Sequence, residues 1–153
     1  MPQHLSTFQL FDYRAARDEV IPSLRTYFER EAFREFPADA TYIECPLDST
    51  AMERLKPLLS LIFDGPARVI LSKISGQKRL HADSRPCLHV PVLIYEPTTA
   101  DNRRLEIGCG IYADRGIVFD GNFVLITVIP THIRVRFDSA AAPSLARLNF
   151  NSF

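Results

Sequence analysis

Apolar residues recur at helical spacing across "DYRAARDEVIPSLRTYFEREAFREF", residues 12–36, at Val20, Leu24, Tyr27, Phe28 and Phe33. This spacing predicts a helix. Pro22 lies inside it and predicts a kink or a second start. A second helical stretch, "DSTAMERLKPLLSLIF" from Asp48 to Phe63, offers Asp48, Ser49 or Thr50 as N-cap. Glu53 stands three residues after Thr50, the spacing of a capping box. "DGP" at 64–66 then breaks the pattern.

After Gly65 the period changes from helical to strand-like. Seven runs rich in Val, Ile, Leu and Phe predict strands: 67–74, 87–95, 104–112, 116–119, 122–129, 132–137 and 145–150. Between them lie "SGQ", "DSRP", "EPTTADN", "ADRG", "DGN", "IPT" and "DSAAAPS", which carry turn chemistry. The pattern predicts a mainly β protein with N-terminal helices over one face, an antiparallel barrel or a cupin-like jelly roll. No linker or internal repeat divides the chain, so 1–153 reads as a single domain, with 1–65 as its helical part.

Composition narrows the function more by exclusion than by assignment. Formal charge is zero and the pI is near 6.9. That gives no basic face for nucleic acid or an acidic membrane, so neither is expected as a partner. No apolar run approaches the roughly 20 residues of a membrane span, and the start lacks the pattern of a signal peptide. Cys45, Cys87 and Cys109 are odd in number and widely spaced. They predict small hydrophobes in a reducing cytoplasm rather than a disulfide set or a metal knuckle.

The candidate chemistry lies in "RLHADSRPCLHVPVLIYEP", residues 79–97. Residues two apart on a strand share a side, so His81 and Asp83 project together if that segment is extended. In "HIRVRF", His132, Arg134 and Arg136 share one face while Ile133, Val135 and Phe137 share the other. A polar face of His, Arg and Arg is economical only if it lines a cavity. Two imidazoles and one carboxylate are the donor set of non-heme iron(II) oxygenases, which leave coordination positions open for a co-substrate and dioxygen. His81, Asp83 and His132 supply that set. Zinc also accepts these donors.

"ARVILSKISGQKRLHADSRPCLHVPVLI" resembles the first part of the double-stranded β-helix of 2-oxoglutarate-dependent oxygenases of the aspartyl/asparaginyl β-hydroxylase and proline-hydroxylase type. "DGNFVLITVIPTHIRVRF" resembles their later segment, with a turn glycine, here Gly121, ahead of the distal histidine. "SLARLNF" resembles the last core strand, whose arginine, here Arg147, pairs the distal carboxylate of 2-oxoglutarate. The resemblance spans roughly residues 67–150, and the spacing from His132 to Arg147 is longer than the family's usual one.

It implies a double-stranded β-helix over 66–153, with Fe(II) held by His81, Asp83 and His132. Arg147 and His89 would bind 2-oxoglutarate, with Arg134 and Arg136 as rivals for its carboxylate. The activity implied is hydroxylation of an amino acid, a peptidyl side chain or a small metabolite by dioxygen, with release of succinate and CO2. The chain is short for such an enzyme, so substrate-defining lids are minimal or come from a homodimer partner. Two other readings compete. One is a cupin-like metal enzyme that does not use 2-oxoglutarate, and the other is a non-catalytic binding module. His89 also reads as a core histidine, His81 with Asp83 as a solvated turn pair, and Arg147 as a surface ion-pair partner.

Overall fold

The structure, a computed structural model, describes residues 8–12, 16–34, 36–37, 39–80, 87–113, 115–131, 136–137 and 148–149. Ten strands occur among them: β1 (Phe8–Asp12), β2 (Tyr42–Cys45), β3 (Phe63–Asp64), β4 (Ala67–Leu80), β5 (Cys87–Ala100), β6 (Arg103–Leu105), β7 (Cys109–Ala113), β8 (Ile117–Pro130), β9 (Arg136–Phe137) and β10 (Leu148–Asn149). The main sheet runs β1-β7-β5-β8-β4-β2, with β6 paired to β5. Its strand pairings are antiparallel throughout the described residues. The mainly β expectation with N-terminal helices therefore holds.

The first 65 residues are less helical than their spacing predicts. Residues 16–31 are helical without a break, but as π-helical turns at Ala16–Val20 and Tyr27–Glu31 around a 3-10 turn at Ile21–Leu24 rather than as one regular α-helix. Pro22 sits in the first turn of Ile21–Leu24, where its missing N–H costs nothing, so it marks a second start. β1, β2 and β3 also fall in this region. The first two are recruited by register with β7 and β4, a tertiary pairing that local periodicity does not carry.

The regular helix α1 (Ser49–Ile62) begins where expected, but on Asp48. The Asp48 carboxylate accepts the Ala51 N–H at 2.8 Å. Thr50 lies inside the helix, so the capping box with Glu53 does not form. Pro57 is accommodated in mid-helix. Ala51, Leu55, Leu58, Leu59 and Ile62 pack on one face of the sheet, against Leu71, Leu88, Val90, Val124, Ile126 and Val128.

Two expected turns are not breaks. "SGQ" and "DGN" lie within β4 and β8, each a continuous strand of 14 residues. Gly76 and Gly121 face each other in register, with φ of +104° and +152°. Only glycine enters such conformations readily, so a facing pair lets both strands bend together without ending. β5 bends beside them through register shifts between Ile94 and Glu96 and between Glu96 and Thr99.

The bend folds the sheet back on itself. His89 pairs with Thr127, eight residues from Phe119 on β8 (127 − 119), or about 26 Å along a straight strand. Yet the His89 and Phe119 rings meet with centroids 5.2 Å apart. The enclosed face carries a second core of Ile74, Ala100, Leu105, Ile111, Ala113, Ile117, Phe119, Phe123 and Leu125.

The last two predicted strands are represented by β9 and β10, which pair with Leu148 facing Phe137 and Asn149 facing Arg136. β10 also pairs in parallel with β3, giving a separate three-stranded sheet.

Candidate functional site

The outer face of the sheet changes polarity along its strands. Ala67, Val69 and Leu71 of β4 and Val124, Ile126 and Val128 of β8 pack with α1, and Lys73, Ser75 and Asn122 lead up to the bend. Beyond it, the same positions are Gln77 and Arg79 on β4, with Val118 and Asp120 on β8. With Thr99, Asp101, Asn102, Arg115 and Gly116 they line a half-open polar trough of about 470 Å³.

One wall of the trough is a two-residue hairpin. Ala100 pairs with Arg103, and Asp101 and Asn102 between them have φ of +49° and +66°. Positive φ at both centres is the twist-matched solution for a two-residue loop, and Asp and Asn tolerate it better than most residues. Asp101 then staples this loop to β8. Its N–H donates to the Val118 carbonyl at 2.8 Å, and its carboxylate accepts the Val118 N–H at 2.8 Å. The other carboxylate oxygen accepts from Arg115 Nη1 at 2.6 Å. Burial alone would raise the Asp101 carboxyl, but the Val118 N–H and the Arg115 and Arg79 guanidiniums outweigh it and hold the group below its ordinary value.

Arg79 and Asp120 are exposed and line the same trough. Arg79 faces Val118 in register, two residues from Asp120, so the two side chains are diagonal neighbours on one face. Among the described residues no ion pair joins them.

His89 lies on the opposite, enclosed face. It is 3% exposed, and its Nδ1 shares a hydrogen bond of 3.0 Å with the Thr127 hydroxyl. Phe119 meets its ring edge to face. Burial lowers its pKa to about 4, so the ring is neutral near pH 7. His89 lines neither the trough nor the shallower cleft of Ile94, Tyr95, Glu96 and Arg104. Its surroundings are those of a satisfied core histidine.

The other sequence-predicted site residues are placed less directly. His81, Asp83, His132, Arg134 and Arg147 lie outside the described residues, and of Arg136 the structure describes only the backbone pairing. Among the described residues no group of three His, Cys, Asp or Glu could hold a metal. Cys87 is buried, Cys45 and Cys109 are half-buried, and none is in a disulfide. No helix among the described residues is long and apolar enough to cross a membrane.

Sequence reasoning missed the trough altogether. Its signal was the run of polar residues at alternate positions Lys73, Ser75, Gln77 and Arg79, but Gly76 and Gly121 read as strand ends. Comparison of the chain with protein-family models, with curated proteins and with solved structures found no match.

Proposed function

We propose that the chain is a non-heme Fe(II)- and 2-oxoglutarate-dependent oxygenase, built on a variant of the double-stranded β-helix in which one bent sheet supplies both leaves. The observation that supports this is the trough beside Arg79. His81 and Asp83 continue the two-residue period of Arg79 in sequence, and a strand with that period turns all three to one side. In this reading His81, Asp83 and His132 would hold the iron, and Arg147, Arg134 or Arg136 would bind the 2-oxoglutarate carboxylate. Iron, 2-oxoglutarate and dioxygen would supply the hydroxylating chemistry, with release of succinate and CO2. The trough is wide enough for an amino acid, a peptidyl side chain or a small metabolite, and its polar walls would orient that substrate. His89, neutral and held by Thr127, keeps the enclosed face packed rather than touching the co-substrate.

The test is calorimetric titration of 2-oxoglutarate into the protein loaded anaerobically with a redox-inert divalent metal. Binding that needs the metal and is lost in Asp83→Ala, with little change in melting temperature, supports the reading. Absence of 2-oxoglutarate binding in the wild-type protein rejects it in favour of a cupin-like metal enzyme or a binding module.

A further inference from the structure

We infer that the trough beyond the bend is a binding site for a small zwitterion, with Arg79 taking its carboxylate and Asp120 its ammonium. The inference rests on the described residues alone and does not depend on a metal.

Three observations lead to it. First, the trough is assembled from three strands and a hairpin: Gln77 and Arg79 from β4, Asp120 from β8, Thr99 from β5, and the Asp101–Asn102 loop. Second, its charges are unequally engaged: Arg79 acts on Asp101 only through its field, and among the described residues neither Arg79 nor Asp120 is in an ion pair. Arg115 and Asp101 neutralise each other and fix the wall. Arg79 and Asp120 stand diagonally across neighbouring strands without forming an ion pair. Third, the walls between them carry side-chain donors and acceptors in Gln77, Thr99 and Asn102.

A simple anion would gain Arg79 but meet the Asp120 carboxylate, and a simple cation would gain Asp120 but meet Arg79. A molecule carrying both charges satisfies both residues at once. The planar fork of Arg79 suits a carboxylate bidentately, and the three donors of an ammonium suit an aspartate. At about 470 Å³ the trough exceeds a single amino acid, so the rest of the ligand extends along it.

The experiment follows backbone amide shifts of the full chain by NMR, without metal or 2-oxoglutarate. The probes are glycine, β-alanine and γ-aminobutyrate, which step the charge separation, with acetate and methylammonium as single-charge controls. The expected result is saturable shifts centred on Arg79, Thr99, Val118 and Asp120 for at least one of the three. That probe should bind about tenfold or more tightly than either control, and Arg79→Gln and Asp120→Asn should each weaken it about tenfold. Both sites are exposed, so these variants should keep the wild-type melting temperature, measured alongside. If acetate binds as tightly as the zwitterions, the site is an anion site and the inference is overturned. It is equally overturned if shifts saturate elsewhere on the chain, or if no probe shifts the trough at millimolar concentration. Those results leave the oxygenase reading standing or falling on its own 2-oxoglutarate titration.

Discussion

A Cβ placed on Gly121 would lie 2.2 Å from the Thr98 hydroxyl oxygen and 2.8 Å from the Thr98 Cα. The bend in β8 therefore brings the β5 backbone into the space a side chain would need. Gly121→Ala combines that clash with a φ of +152°, whereas Gly76→Ala has φ of +104° and nothing within 4 Å of its new Cβ. We expect Gly76→Ala to cost about 1 kcal/mol and Gly121→Ala about 3 kcal/mol or more in urea unfolding. Thr98→Ala should recover only part of the Gly121→Ala loss, because the Thr98 Cα stays in place. Equal costs for the two glycine variants would mean that the close approach is not real.

The start of α1 offers a cleaner contrast. The Asp48 carboxylate caps the Ala51 N–H, while Thr50 is exposed within the first turn. Asp48→Ala should destabilise the protein by about 1 kcal/mol, and Thr50→Ala by less than about 0.5 kcal/mol. A thermal melt of the two variants distinguishes this cap from the Thr50–Glu53 box that the sequence spacing suggests. The reverse order would restore the box.

The residues show why some of this was legible and some was not. Helix α1 and the strand-rich second part follow from local periodicity, which burial on one face reinforces. Gly76 and Gly121 were visible as glycines, but a glycine marks a turn or a bend with equal force. Only the facing register, set by long-range pairing, decides between them. β2 is four residues long and earns its strand conformation from β4, not from its own pattern. The trough needs β4, β5, β8 and the Asp101 turn together, residues 77–120 of the chain, and no single stretch announces it. His89 was legible as a histidine of interest, yet its role turns on Thr127, 38 residues away.

The Asp101 staple predicts different outcomes for two substitutions at one position. Asp101→Asn keeps an oxygen for the Val118 N–H and a residue that tolerates φ of +49°, losing only the half-exposed pair with Arg115. Its cost should be under about 1 kcal/mol. Asp101→Ala loses the acceptor and the turn preference together and should cost about 2 kcal/mol. Amide hydrogen exchange at Val118 should rise in Asp101→Ala and remain near wild type in Asp101→Asn. Equal protection in both would show that the carboxylate does not hold this strand end.

The pH dependence of stability should carry the signature of His89. Its folded pKa, about 4, lies below its unfolded value near 6.5, so the unfolded chain takes up a proton that the folded protein refuses. The stability this provides is fully present above pH 6.5, declines as pH falls toward 4, and changes no further below that. The gap between the two values corresponds to roughly 3 kcal/mol lost across the window. Asp101 acts in a separate range. Its folded value is held below the ordinary carboxylate value, so the stability it adds is present above about pH 4 and is lost only as pH falls further. His89→Gln retains a polar group able to reach Thr127 but cannot take a proton. It should be less stable than wild type at pH 7.5 by about 1–2 kcal/mol, since it disturbs the contact with Phe119. Its stability should then change far less between pH 6.5 and 4, so the two curves converge or cross as the solution is acidified. Urea unfolding at several pH values reads this directly. Parallel curves for His89→Gln and wild type across that window would place the titrating groups elsewhere and would remove His89 from the acid sensitivity of the fold.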